Sequence, residues 1–186
     1  GLITHAHFDH DAAERLPESA PLLRSSGQLQ IEDMSIKEIM DIHSGASGLR
    51  GMRNVMFLLE TGGLRFLHIG YNRGNWPEDV SQGVGKVDVL LVTVDYSSHL
   101  LSYAEVDSMI ERVDPRIVIP MQYRIPSLMP ESCGLKSPDQ WLATQSIVKQ
   151  LKGHSAEISK KELPPSAQVW IFEPSPESLT AKKSEW

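Results

Sequence analysis

The segment Leu2-Ile3-Thr4-His5-Ala6-His7-Phe8-Asp9-His10 constrains this chain more than any other. Three imidazoles and one carboxylate fall within six residues, directly after a short apolar run that reads as the last residues of a buried strand. A strand sends successive side chains to opposite faces, whereas a loop leaving a strand end lets them converge on one point. Neutral imidazole nitrogen and carboxylate oxygen are ligands that zinc accepts, at about 2.0–2.2 Å, and they also serve iron or manganese. One histidine here would be a polar loop residue; the dense His-x-His-x-Asp-His pattern reads as a metal site.

The rest of the chain alternates strand and helix patterns. Gln28 to His43 is strand-rich. Val55–Glu60 and Leu64–Ile69 flank Thr61-Gly62-Gly63 and predict a β-hairpin with a glycine turn. Asn72 to Gly85 reads as turn-rich, and Val87 to Val94 as a strand buried on both faces. Ser102-Tyr103-Ala104-Glu105 has capping-box spacing, and Val106, Met109, Ile110 and Val113 form a helical stripe that ends before Pro115. Arg116 to Met121 is a further strand. Asp11 to Leu16 predicts a short helix, and Ser137-Pro138 opens a longer one carrying Trp141, Leu142, Ile147, Val148 and Leu151 to Gly153. Gln168 to Glu173 is the final strand. The class is α/β.

The 186 residues hold 18 Lys+Arg against 24 Asp+Glu, a net charge of −6. This length suits one domain, read here as residues 1–186, with the strand-like opening at Gly1 implying missing upstream strands. The acidic balance excludes a nucleic-acid binder that works by neutralising phosphates, and no Lys/Arg run contradicts it. The lone Cys133 allows neither an internal disulfide nor a paired-cysteine metal framework. No apolar stretch approaches the ~20 residues of a membrane span. The lone thiol fits a cytoplasmic location, with an upstream export signal left open.

Thr4-His5-Ala6-His7-Phe8-Asp9-His10 resembles the signature loop of the metallo-β-lactamase-fold hydrolases, and the resemblance continues in order down the chain. His43, followed by Gly45 to Gly51 and Asn54-Val55-Met56-Phe57, is similar to the family's third-ligand region. Gly63-Leu64-Arg65-Phe66-Leu67-His68-Ile69-Gly70 resembles the strand that ends in His-x-Gly-Asp, and Ile117-Val118-Ile119-Pro120-Met121-Gln122-Tyr123 the one that reads Ile-Pro-Met-His-Tyr. The match covers about residues 2 to 125 and is nearest to the lactonase-like and uncharacterised metal-dependent hydrolases. It implies an αββα sandwich, here lacking its N-terminal strands. It also implies His5, His7 and His43 around a first metal, and Asp9 and His10 at a second.

The sequence departs from the family at two places. Tyr71 stands where a bridging carboxylate belongs, and Gln122 where a histidine completes the second site. A phenol with a free pKa near 10 is a poor bridging anion at neutral pH, and a neutral amide oxygen is a weak zinc partner. The expectation is therefore zinc, one ion rather than two, with iron or manganese open. Asp9 would orient water or act as general base for hydrolysis of an ester, lactone or phosphoester by a metal-bound hydroxide. The alternative is a catalytically degenerate protein that uses the pocket to bind a small molecule or to assemble. Oligomeric state is left open.

Other residues carry weaker signals. Asp95 and His99 follow a strand and could reach the pocket. His68 is either a near-site residue or a satisfied core histidine. His154 follows a helix end, a structural place for a cation. Cys133 lacks a partnering base. A (β/α)₈ barrel needs ~250 residues, and Gly45-x-x-Gly48-x-x-Gly51 lacks dinucleotide-binding spacing.

Overall fold

The computed structural model describes residues 1–7, 11, 13–24, 27–45, 51–95 and 100–176. Eight strands and three helices follow one another as β1 (Gln28–Ile31), β2 (Met34–Ile42), β3 (Arg53–Thr61), β4 (Leu64–His68), α1 (Glu78–Val84), β5 (Val89–Thr93), α2 (Tyr103–Val113), β6 (Ile117–Met121), α3 (Asp139–Leu142), β7 (Val148–Gln150) and β8 (Gln168–Ile171). They form one sheet in the order β1-β2-β3-β4-β5-β6-β8-β7. The first four strands are antiparallel neighbours, and from β4 onward every pairing is parallel.

The β3–β4 hairpin forms as its glycines predict. Thr61 pairs with Leu64 across Gly62 and Gly63, both at positive φ (57° and 74°), the backbone that a two-residue hairpin turn requires and that glycine adopts without strain. In the parallel half β4–β5 and β5–β6 are joined through α1 and α2, and β7–β8 by a long connection with one 3-10 turn, the crossovers that parallel strands demand. Ser102 caps α2 with the reciprocal Ser102–Glu105 capping box.

Period-two alternation sorts the strand side chains onto two faces. Met56, Leu58, Leu67, Leu90, Val92 and Val118 lie on the face covered by the helices, packed with Val80 and Val84 of α1, Val106 and Met109 of α2, and Trp141 of α3. The intervening residues face the other way. Val89 and Ile117 pack there with Trp170 and half-buried Phe66, Leu91 and Ile119. The chain after β7 is drawn in by Lys160, whose ammonium lies 2.6 Å from both carboxylate oxygens of buried Asp88. This mixed α/β architecture corresponds to the expected metallo-β-lactamase-like class. The second sheet of a complete αββα sandwich is absent among the described residues.

Four local expectations are corrected. The helix expected from Ser137 to Gly153 stops at Leu142. Trp141 is fully buried and its indole N–H donates to Asp107 at 2.8 Å, but β-branched Val148 pairs instead with Val169 in the sheet, so tertiary pairing overrides the helical spacing. Conversely, Glu78–Val84 is helical where turns were expected, because the buried pair Val80/Val84 at i,i+4 supplies a face that its polar neighbours mask. Leu2 makes only an isolated bridge to Leu23 and is exposed, so the opening residues are not a strand of the sheet. Within Asp11–Leu16, the helical geometry is one 3-10 turn, Ala13–Arg15.

Candidate metal centre

Two of the three clustered histidines come from the opening loop and the third from the end of β2. The loop is seated by backbone contacts, with Ile3 N–H donating to Leu23 and Val55 N–H donating to the Thr4 carbonyl at 2.7 Å. His43 follows β2 directly. Its own N–H donates to Met52 O, and the next amide, Ser44, donates to Tyr71 O at 2.7 Å.

The turn at 70–73 that receives these bonds is built around Asn54, a fully buried residue of β3. The Asn54 amide donates to Ile69 O (2.9 Å) and to Asn72 Oδ1 (3.1 Å), while its oxygen accepts from Tyr71 N–H (3.0 Å). Asn72 passes the chain of bonds to buried Asp41 at 2.8 Å, and Arg73 closes it with two bonds to the same carboxylate, at 2.7 and 3.1 Å. Each buried polar group is satisfied by another, which is the condition for such a network to hold a geometry. Gly70, at φ +56°, lets Thr4 approach: a Cβ there would lie 2.6 Å from Thr4 Cβ and 2.8 Å from Asn54 Oδ1.

The result is a compact imidazole cluster. One ligand atom from each of His5, His7 and His43 lies within 4.8 Å of the others, and the ring centroids are 4.7–5.2 Å apart. His5 Nε2 and His7 Nδ1 are 3.1 Å apart, close to the roughly 3.3 Å expected of two nitrogens held 2.0–2.1 Å from one tetrahedral ion. His43 Nδ1 meets the Ser44 carbonyl at 2.5 Å. A carbonyl only accepts, so Nδ1 carries the proton and Nε2 keeps its lone pair, the tautomer a metal ligand needs. Thr4 Oγ1 lies 2.8 Å from His5 Nδ1 and holds the plane of that ring. The donor set and its outer bonds therefore fit a borderline divalent ion. His5 and His43 are buried, and His7 is half-buried.

Tyr71 packs directly against this cluster: its ring lies 4.6 Å from that of His5 at a 33° tilt, 5.3 Å from His43 and 6.5 Å from His7. Tyr71, His5, Thr4, Gly70, His68, Thr93, Met121 and Gln122 enclose an adjoining cavity of about 140 Å³. A second cavity, of about 300 Å³, opens on the other side of Thr4 and His5, among Met40, Met52, Val55 and Arg53.

The remaining sequence candidates are distributed as follows. Asp9, His10 and His99 lie outside the described residues. His68 belongs to the near-site alternative: it lines the cavity, and its Nδ1 accepts the Gly70 N–H at 3.1 Å. Burial pushes its pKa down, partly offset by a hydrogen bond to its own backbone. Asp95 is fully buried but takes the Lys136 N–H at 3.3 Å and is not among the residues lining the cavity. His154 and Cys133 are exposed. The sequence reading missed Asn54 and Thr93. A lone asparagine entering an apolar strand was the available signal for the first; a threonine ending one carries none.

Residues 2–122 match the model of the beta-lactamase superfamily domain. The chain belongs to that family. It matches no curated protein. Among solved structures, a proposed Zn-dependent hydrolase of the metallo-β-lactamase superfamily from Thermotoga maritima superposes with a TM-score of 0.72 at 20% identity, covering 92% of this chain and 79% of the other. A metallo hydrolase from the archaeon Ignicoccus hospitalis gives 0.58 at 16% identity, over 94% and 76%. The diiron β-hydroxylase CmlA from Streptomyces venezuelae gives 0.51 at 14% identity, over 64% and 34%. At these identities the likeness is one of fold. No helix among the described residues is long and apolar enough to cross a membrane.

Two outcomes follow from this geometry. Gly70→Ala should cost at least about 2 kcal/mol in denaturant unfolding, while Gly62→Ala, at a similar φ (+57°) with nothing within 4 Å of its Cβ, should cost clearly less. The difference isolates the close approach of Thr4. In metal-free protein, a lowered native pKa at His68 means that the unfolded chain takes up a proton near pH 6.5 before the native one does. Stability should then fall as pH drops below about 6.5 towards the native pKa, and His68→Gln should make that fall shallower in urea titrations at pH 5 to 7.5.

Proposed function

We propose that this protein is a metal-dependent hydrolase that works with one ion held by His5, His7 and His43. The observation that carries the reading is the convergence of one ligand atom from each of His5, His7 and His43 within 4.8 Å, with His43 Nδ1–H bonded to the Ser44 carbonyl so that Nε2 keeps its lone pair. An ion in a three-histidine site with an open position acts as a Lewis acid and lowers the pKa of water to about 7. Zinc is the proposed ion. The relatives include both a proposed zinc-dependent hydrolase and a diiron enzyme, and iron suits the same imidazoles.

The chain's own residues hold and orient. The Ser44 carbonyl fixes the tautomer and ring plane of His43, and the Thr4 hydroxyl holds the ring of His5. The Asn54 network holds the turn carrying Tyr71 against the end of β2. Asp9 is proposed to accept a proton from water, and His10 to stand with it beside the cluster. The substrate is a small molecule with an ester, lactone or phosphoester bond, seated in the cavities on either side of His5. A binding protein with a degenerate centre is the second reading, favoured by the Tyr71 ring against His5 and by Gln122 in the cavity wall.

Purified protein should bind about one zinc per chain by elemental analysis, and His43→Ala should weaken zinc at least tenfold in chelator competition. Hydrolysis that persists after full chelation would end the metal-dependent reading, while tight zinc without turnover of any ester, lactone or phosphoester would favour the binding protein. Restoring the missing ligand types together, in Tyr71→Asp/Gln122→His, should raise the stoichiometry towards two. An unchanged stoichiometry would remove the assignment of these positions to a lost second site.

A further inference from the structure

The 140 Å³ cavity beside the histidine cluster has a wall unlike that of a metal site. It is formed where the parallel strands end: His68 closes β4, Thr93 closes β5, and Met121 closes β6 with Gln122 next in the chain. Thr93 and Met121 are direct register partners, so their side chains emerge side by side on the face away from the helices. Among its described lining residues there is no carboxylate, lysine or arginine. Thr4, His68, Tyr71, Thr93 and Gln122 are lining residues whose side chains can donate a hydrogen bond, and Met121 adds an apolar one.

Two of these donors have their hydrogen-bond state set by the structure, and a third has an unusual backbone. Thr93 is 2% exposed, and its hydroxyl is buried with no hydrogen-bond partner among the described residues. A buried hydroxyl left so costs on the order of 1–3 kcal/mol, which a ligand oxygen would recover. His68 accepts the Gly70 N–H at Nδ1, so the neutral ring carries its proton on Nε2 and donates from that edge. Burial of the ring favours that neutral form. Gln122 sits at φ +53°, a left-handed conformation that is unusual for glutamine. Strain of this kind persists where the surroundings impose it, and it is concentrated at functional sites.

Resting on the hydrolase reading above, we propose that this cavity is an acyl-oxygen subsite. Thr93, His68 and Gln122 hold the carbonyl oxygen of an ester or lactone next to the three-histidine cluster, so the substrate is an acyl compound and not a phosphoester. An oxygen that gains negative charge when water adds to the acyl carbon is stabilised by fixed neutral donors in a dry pocket. A phosphoester dianion would instead have only the ion held by the three histidines to offset its charge, with no cationic side chain among the described lining residues.

Acetate and inorganic phosphate serve as probes, titrated separately into ¹⁵N-labelled protein with and without zinc and followed by amide shifts. Zinc affinity is measured independently, so a protein that fails to bind zinc defeats the hydrolase reading while the zinc-free acetate titration still tests the pocket. Acetate should shift the Thr93 and Gln122 amides. Thr93→Val and Gln122→Met, which retain size, should each weaken acetate about tenfold, as expected for one lost bond to a charged oxygen. Zinc affinity and thermal midpoint should stay within twofold and a few degrees of wild type. Equal acetate affinity in wild type and both variants would overturn the proposal, since the anion would then be held elsewhere. So would phosphate binding more tightly than acetate and weakening in the same variants, because the pocket would then favour phosphoryl oxygen.

Discussion

The carboxamide of Asn54 is the junction on which the site depends. It is fully buried in β3, yet its polar atoms reach Ile69 O, Tyr71 N and Asn72. Through Asn72 it connects to Asp41 and Arg73, so the turn after β4 is tied to the body of β2. His43 stands at the end of β2, Tyr71 lies in the turn, and the Thr4 carbonyl docks on the neighbouring Val55 amide. Two histidines and their third partner, distant in sequence, are thereby referred to one rigid point. A buried amide is suited to this role because leaving any one of its bonds unmade costs more than the bond itself contributes.

Sheet periodicity supplies the second half of the arrangement. Parallel strands β5 and β6 terminate in step at Thr93 and Met121, and β4 ends two residues earlier in register at His68, opposite Leu91, so all three leave the sheet at its carboxyl end. Open α/β sheets place ligands beyond the carboxyl ends of their strands for this reason. The helices occupy the opposite face and keep the strands in register through Trp141, Met109 and Val106. The imidazole cluster and the cavity share His5, so a ligand in one would lie beside the other.

Much of the fold was legible because it rests on local rules. The glycine hairpin, the capping box of α2 and the continuous apolar strand β5 each signal themselves over a few residues. The exceptions have a common cause. Ile147 and Val148 fit the apolar stripe of a helix but are taken by a ladder with Val169, and Val80/Val84 form a helix face that only the sheet beneath them makes worthwhile. Burial against a distant partner outweighs weak local preference in both directions.

The candidate site divides along the same line. Residue type and spacing marked His5 and His7 in the opening loop, because metal-binding chemistry accepts few side chains, whereas His43 and the interruptions at Tyr71 and Gln122 were read only through the family resemblance. Nothing in the one-dimensional order could say that the Tyr71 ring packs against His5, which nitrogen of His43 is protonated, or that the Thr93 hydroxyl has no partner among the described residues. Those are outcomes of packing: they depend on carbonyls, amides and apolar surfaces brought together from strands many residues apart, and only the folded chain brings them within bonding distance.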